Sequence, residues 1–396
     1  MRWKYYIAGE HPQEDAQHTA VVARIDRWWE AFAAKAFELD RLFTGQTEWN
    51  LVEWMRENLQ AIDPRLLWEF GPGAGDGHRL VVTPEAEHHL RPLVDEIVGR
   101  APFLPGWSFH THRVAESVRH LPRTIESRTG VAPAFTGVGL QRGEFNRVDV
   151  SFQFPSEFLE QRRSVAHAQA FLAAELLLGE DLLRDWMGVL KATSEVEQPL
   201  PPSVLRRAFT ALAVEQRSAI PAQPFLDRLD TLAWTTVDLR PKKAADYVHR
   251  YDLAAAVTGA PDLWRNAHSD QVFWSGRFSR SGETFCYLKI DRGGPLRATA
   301  VADRARLEEA LNETLRSRRL GCVIGGGSGR RYSYVDLAVT DVLAAAEAIR
   351  SVLGQLKLPT RRAWIQFFDD SLAAEWIGMW PDSPAPPMPF AEENGA

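Results

Sequence analysis

The spacing of apolar residues over the first 200 positions predicts two helices, followed by two copies of a strand-strand-helix-strand arrangement. Apolar side chains recur every three or four residues over 21–43 and 51–62, which is typical of amphipathic helices. Shorter apolar runs follow and indicate strands. The predicted strands cover residues 66–70, 79–82, 107–114, 134–141, 147–154 and 186–190. A helix starting at residues 83–85 and another over 160–178 complete the order strand-strand-helix-strand, twice.

The C-terminal part shows a related pattern. The predicted strands cover residues 272–278, 284–290, 320–324, 331–339 and 363–368, and the intervening helices are expected to be capped by Asp303 and Asp341. This order suits a mostly antiparallel sheet with helices packed on one face. Residues 204–270 are predicted to be mixed helix and loop with one strand at 232–239. The proline-rich tail, 381–396, is predicted to be disordered.

A domain boundary is predicted near residue 200. The segment 193-TSEVEQPLPPS-203 is polar and rich in proline, as interdomain linkers are. The chain is therefore expected to be an α+β protein with two domains, residues 1–200 and 201–396. Each domain is predicted to be a mostly antiparallel sheet backed by helices.

The stretch 320-LGCVIGGGSGRRYSYVDLAV-339 has the glycine content of a phosphate-binding loop. A phosphate cradle needs a helix directly after its glycines. Here the following residues, 332–339, are aromatic and β-branched, which favours a strand. The cluster is therefore predicted to be a hairpin turn in which glycine supplies positive φ. The alternative is an anion-binding nest to which Arg330 and Arg331 contribute.

Composition narrows the classes of function. The formal net charge is −6 with a pI near 6.0, which argues against broad nucleic-acid binding. The opening residues lack a signal-peptide pattern. The sequence contains no run of about 18 apolar residues, which is the length that a membrane-spanning helix needs. Cys286 and Cys322 both lie in apolar runs, so we expect buried free thiols in a reducing cytoplasm. No cofactor is expected.

Two kinds of candidate site follow from residue types. His110 and His112 lie two apart in a predicted strand, so their side chains would point to the same face of the sheet. Together with a further ligand such as Glu69, His88 or His89, they would form a metal site. The alternative is a polar strand face without metal.

The chain also has 14 tryptophans, which are interpreted as core anchors or as parts of a partner-binding face. The partner-binding candidates are Trp107, Arg113, Trp376 and Trp380.

Two parts of the sequence resemble known protein families. The segments 63-DPRLLWEFGPG-73, 79-RLVVTPEAEHHLRPLVDEIV-98 and 101-APFLPGWSFHTHR-113 resemble a family of bacterial cytoplasmic proteins of unknown function, and the likeness extends over residues 17–195. That family supplies no catalytic residues. In element order the C-terminal third is similar to the ferredoxin-like domain of the regulator of ribonuclease E activity, B type. This resemblance implies a domain that works by binding a partner protein.

The expected function is therefore that of a non-catalytic bacterial cytoplasmic protein that binds another protein, as a regulator or an immunity protein does. The alternative is a metal-dependent hydrolase that uses the strand face of His110 and His112. Stoichiometric zinc or manganese in the purified protein would favour the alternative.

Overall fold

A computed structural model of the chain describes residues 1–73, 77–293, 299–358 and 360–389. The fold is α+β, as the hydrophobic pattern predicts. The chain forms two compact units, and each is assembled from separate stretches of sequence. The first unit contains Met1–Thr111, Phe225–Trp264 and Glu283–Ala396, and the second contains His112–Pro224 and Arg265–Gly282. The predicted division at residue 200 therefore falls inside the second unit.

The helices and strands are numbered in chain order. The helices are α1 (Pro12–Phe43), α2 (Leu51–Asn58), α3 (Arg91–Gly99), α4 (Leu121–Thr129), α5 (Ser156–Leu178), α6 (Glu180–Trp186), α7 (Leu205–Ala219), α8 (Phe225–Arg228), α9 (Pro261–Asn266), α10 (Thr299–Ser317) and α11 (Val342–Gln355). The strands are β1 (Leu67–Pro72), β2 (His78–Thr83), β3 (Trp107–His110), β4 (Gly137–Arg142), β5 (Val148–Gln153), β6 (Met187–Thr193), β7 (Thr235–Asp238), β8 (Leu253–Thr258), β9 (Thr284–Asp291), β10 (Gly321–Gly329), β11 (Tyr332–Val339), β12 (Ala363–Phe367) and β13 (Ile377–Gly378). None of the helices in these described ranges is both long and apolar enough to cross a bilayer.

The N-terminal sheet follows the predicted order. Strands β1 and β2 form an antiparallel hairpin, α3 follows, and β3 returns parallel to β2. Buried side chains of α1, among them Trp28 and Phe32, pack with the sheet in one apolar cluster. The helix predicted to start at residues 83–85 is displaced, since α3 begins at Arg91 and Glu85 has a positive φ. The order strand-strand-helix-strand is thus confirmed.

The second unit repeats this arrangement. Strands β4 and β5 are antiparallel, and β6 returns parallel to β5 after α5 and α6. The proline-rich segment read as a linker belongs to this unit, because Leu200 forms two backbone hydrogen bonds with Val138, of 2.8 and 2.9 Å. Helix α7 then places Leu205 and Phe209 in the same core as β4 and β5. A boundary at residue 200 would separate these packed elements.

The C-terminal sheet has seven antiparallel strands in the order β13-β12-β9-β11-β10-β8-β7. Its centre, built by β9-α10-β10-β11-α11-β12, has the strand order of a ferredoxin-like split β-α-β unit. The strand predicted at 272–278 is wrong, since these residues contain only a short 3₁₀ turn, Ser275–Arg277, and belong to the second unit. The sequence pattern also missed β8, which joins β7 to the sheet.

The glycine cluster lies within a strand. Strands β10 and β11 form the predicted antiparallel hairpin, but β10 continues through all the clustered glycines and the turn falls at Arg330 and Arg331. None of the glycines in 325–329 has a positive φ, so the predicted role of glycine in the turn is wrong. These positions require glycine because there is no room for a side chain. A Cβ on Gly325, Gly327 or Gly329 would collide with a neighbouring segment of the same chain.

The tail is ordered for part of its length. Pro384 O accepts a hydrogen bond of 2.5 Å from Trp364 Nε1, and Ser383 is fully buried. The expected disorder is therefore wrong for residues 381–389. Residues 390–396 lie outside the described residues.

Candidate binding cleft

The two faces of the seven-stranded sheet differ in chemistry. One face is apolar, and Leu288 and Val335 pack there against Leu311 of α10 and Ile349 of α11. Because side chains alternate along a strand, the intervening positions point to the other face. The opposite face carries polar and aromatic residues from β9 and β11, namely Tyr287, Lys289, Asp291, Tyr332, Tyr334 and Asp336. They lie side by side because Lys289 pairs with Tyr334 in the register of the two strands.

Residues 241–252, which we term the covering segment, lie against this polar face. Tyr247 O of the segment accepts a hydrogen bond of 2.6 Å from Lys289 Nζ. The carboxylate of Asp252 accepts backbone hydrogen bonds from Arg331 and Tyr332, of 2.7 and 2.9 Å, and a further one from the Tyr334 hydroxyl. The segment is thus fixed to the sheet by directional polar contacts.

A buried ion pair lies beneath the segment. Arg250 and Asp336 are both buried, with 3.1 Å between Arg250 Nη1 and Asp336 Oδ1. The Arg250 guanidinium lies 5.4 Å from the ring of Tyr287, 5.5 Å from that of Tyr334 and 5.3 Å from that of Phe368. Burial raises the pKa of Asp336 although Arg250 favours its charged form. The pair is enclosed by aromatic rings and has a structural role.

A second ionic cluster lies at the end of the sheet near the hairpin turn. Asp291 Oδ2 is 2.7 Å from Arg331 Nη2 and 2.8 Å from Arg362 Nε. Asp246 Oδ2 is 3.1 Å from Arg331 Nη1 and 3.2 Å from Arg362 Nη2, and Asp246 Oδ1 accepts from the Tyr332 hydroxyl at 2.6 Å. Burial works against the charged form of Asp291, but the hydrogen bonds from Arg331 and Gly293 lower its pKa. Asp291 is therefore held as an anion, and both carboxylates lie between the same two guanidinium groups.

Lys289 is a second buried cation of this region. Its side chain is fully buried, and Nζ lies 4.2 Å from the centre of the Tyr332 ring. Burial lowers the pKa of Lys289 to about 8, and the carboxylates of Asp252 and Asp246 partly oppose that shift. Its ammonium group therefore titrates closer to neutrality than an exposed lysine does.

A cleft opens beside this cluster, with a volume of about 420 Å³. Its lining residues are Lys243, Ala244, Ala245, Tyr247, Asp291, Gly293, Arg330 and Arg331. Three cationic side chains and one carboxylate thus line it, in a chain whose net charge is −6. Lys243 and Arg330 are exposed, and neither has an ion-pair partner within the described part of the chain. Arg330 is oriented by one hydrogen bond, from Nε to Pro241 O at 3.1 Å.

The two candidate metal ligands contact different residues. Strand β3 ends at His110, so the alternation that would put His112 on the same face does not reach it. His110 Nε2 lies 3.2 Å from Ser108 Oγ, and His112 Nε2 lies 3.2 Å from Asp181 Oδ2. No group of three or more potential metal ligands occurs among the described residues. The metal-dependent hydrolase stays a prediction, which metal analysis of the purified protein tests.

None of the partner-binding candidates chosen by residue type is among the residues that line the cleft. Trp376 is only 5% exposed, and the Arg2 guanidinium lies 4.0 Å from its ring centre. Trp107 and Trp380 are half-buried against apolar clusters. Arg113 is in an ion pair with Glu175, with 2.9 Å between Nη1 and Oε1. Each of these side chains has a structural contact, and their role in binding stays a prediction.

Sequence reasoning missed the covering segment. It falls in residues 204–270, where the hydrophobic pattern gave only one strand. The available signal was the run 246-DYVHRYD-252, in which acidic, aromatic and basic residues alternate closely. Such a mixture is typical of a buried polar network, in which each charge has a partner. Arg330 and Arg331 were identified from sequence, as possible contributors to an anion nest.

The two family resemblances stay predictions. Comparison of the chain with protein-family models, with curated proteins and with solved structures gave no match. The ferredoxin-like strand order is present in the C-terminal sheet. That arrangement is shared by many proteins of unrelated function, so function has to be argued from the cleft.

Proposed function

We propose that the protein is a non-catalytic binding protein that holds an acidic segment of a partner protein in the cleft at the β10–β11 turn. The observation that carries the proposal is the pair of exposed cations, Lys243 and Arg330, at the edge of a cleft in an acidic chain. Their charges are not matched by carboxylates within the described residues. A carboxylate-bearing ligand would supply that match.

The floor of the cleft supports binding rather than catalysis. A general base or nucleophile must reach the proton or atom on which it acts. Asp291 is held by Arg331 and Arg362, and the Tyr332 hydroxyl donates to Asp246. Lys289 has a lowered pKa, but its side chain is fully buried. These groups are already hydrogen-bonded, ion-paired or buried, so they are not placed to act on a ligand in the cleft.

The exposed cations at the edge of the cleft favour an acidic protein segment as the ligand. The guanidinium of Arg330 can donate two parallel hydrogen bonds to a carboxylate, and Lys243 adds a point charge. Ala244 and Ala245 form a small wall that a peptide backbone can approach closely.

The test uses a fluorescein-labelled hexaglutamate peptide and fluorescence anisotropy at low ionic strength. The matched variants are Lys243→Ala/Arg330→Ala and, as a control, Arg306→Ala on α10, an exposed arginine that does not line the cleft. We expect the double variant to bind about tenfold more weakly, since exposed ion pairs are worth up to about 1 kcal/mol each. The control should bind like the wild type. Equal binding by the double variant would contradict the proposal.

A further inference from the structure

Strand β7 is an open edge of the seven-stranded sheet. It pairs with β8 from Thr235 opposite Thr258 to Asp238 opposite Ala255. On its other side no strand pairs with it in the part of the chain that the structure describes. The strand is exposed over most of its length, and Trp234 just before it is 48% exposed. An edge of this kind can accept another strand.

The ladder with β8 shows which backbone groups face outward. Leu239 N donates to Ala254 O at 2.8 Å, which places Leu239 in a hydrogen-bonded pair. In an antiparallel ladder such pairs alternate along the strand. Thr235 and Val237 therefore bond to β8 as well. Thr236 and Asp238 direct their N–H and C=O groups away from the sheet.

The open edge leads into the cleft. After Asp238 the chain reaches Pro241, whose carbonyl accepts from Arg330, and then Lys243 in the lining. Five residues span at most about 17 Å, so the outward groups of β7 and the cationic edge of the cleft lie within one short peptide of each other. A strand added to β7 would carry its neighbouring residues toward Lys243 and Arg330.

We infer that the partner segment adds to β7 as an eighth antiparallel strand, and that the acidic residues preceding that strand enter the cleft. The inference rests on the proposed function and specifies its ligand. Charge complementarity selects the occupant, because the cations lie at the end of β7 where an antiparallel partner strand begins. Trp234, exposed at the other end, offers an aromatic contact for an apolar residue of the partner.

The experiment compares two labelled peptides on the full-length protein. One is hexaglutamate, and the other has six glutamates followed by six alternating threonine and valine residues. We expect the longer peptide to bind wild type about tenfold more tightly. Thr236→Pro removes an outward N–H that β8 does not use, and should abolish that gain while leaving hexaglutamate binding unchanged. Thr236→Val keeps the N–H and should keep the gain.

A second measurement covers the case in which Thr236→Pro fails to fold. Amide exchange on wild type should slow at Thr236 and Asp238 when the longer peptide binds, and not when hexaglutamate binds. Equal affinity for the two peptides, or unchanged exchange at both amides, would overturn the inference. A wild-type dimer in light scattering that Thr236→Pro converts to monomer would assign the edge to a second copy and also overturn it. If hexaglutamate itself does not bind to the wild-type protein, the proposed function is wrong.

Discussion

The carboxylate of Asp252 occupies the space that a side chain at Gly329 would need. A Cβ at Gly329 would lie 2.3 Å from Asp252 Cγ and 2.4 Å from Oδ1. Asp252 has little room to move, because its carboxylate also accepts from the backbone of Arg331 and Tyr332. The last glycine of β10 is therefore required by the anchor of the covering segment.

Replacing Gly329 with alanine should destabilise the protein by about 1–3 kcal/mol, the usual cost of overpacking a close-fitted site. Urea denaturation measures this. Gly354→Ala is the matched control, since no atom lies within 4 Å of a Cβ at Gly354 near the end of α11. The control should be neutral or stabilising by up to about 1 kcal/mol. Equal midpoints for Gly329→Ala and wild type would contradict the account of the glycine strand.

The ion pair of Arg250 and Asp336 gives a second prediction. Arg250→Met should cost about 3–5 kcal/mol, because it leaves the Asp336 carboxyl buried without its partner. The double variant Arg250→Met/Asp336→Leu should recover most of that loss. A double-mutant cycle in urea checks both values. Additive effects of the two single changes would show that the pair is not coupled.

Lys289 should make stability depend on alkaline pH. Burial lowers its pKa in the folded protein to about 8, whereas an exposed lysine titrates near 10.5. Between these values the unfolded chain holds a proton that the folded chain has lost, so stability rises with pH by up to about 1.4 kcal/mol per unit. Below pH 8 the cost of burying the charge is fully present.

Lys289→Met removes this contribution and serves as the reference. Cysteines and tyrosines with raised pKa values act in the opposite direction over the same range, so the difference between variant and wild type is the quantity to measure. The advantage of Lys289→Met over wild type should be largest at pH 7.5 and smaller at pH 9.5. A constant difference across that range would mean that Lys289 keeps its proton in the folded protein, so that its pKa is not lowered.

The two thiols should be inert in the folded protein. Cys286 and Cys322 are both free and buried, and burial raises the pKa of Cys322 to about 12. A thiol reacts as its thiolate, so the native protein should react only slowly with Ellman's reagent at pH 8. In guanidinium chloride two thiols per chain should react at once. A rapidly reacting thiol in the native protein would contradict this placement.

The elements with strong periodicity were predictable from sequence. The pattern over 21–43 marked α1, and Asp341 was identified correctly as the cap of α11, where it accepts from Ala344 N at 3.0 Å. The hairpin of β10 and β11 was also predicted. In each case the local pattern and the final environment agree, because the element packs one apolar face against a core.

The elements that the sequence pattern missed or mispredicted have a common physical cause. Long-range contacts override the local preference of the sequence there. Strand β8 is rich in alanine and has little intrinsic strand preference, yet it pairs with β10 across about 70 residues of sequence. Residues 272–278 look like a strand, but Arg277 bonds with Asn266 at 2.9 Å and holds this stretch in a turn. The same long-range pairing makes the first compact unit discontinuous. No local window of sequence contains that information.

The most direct test of the binding claim is a charge reversal at the cleft, in Lys243→Glu/Arg330→Glu. Anisotropy titrations with labelled hexaglutamate and hexalysine at low salt give the affinities of both proteins. We expect wild type to prefer hexaglutamate and the variant to prefer hexalysine, with both preferences weakening as salt rises. A variant that still prefers hexaglutamate, or a wild type that shows no preference, would contradict the binding claim.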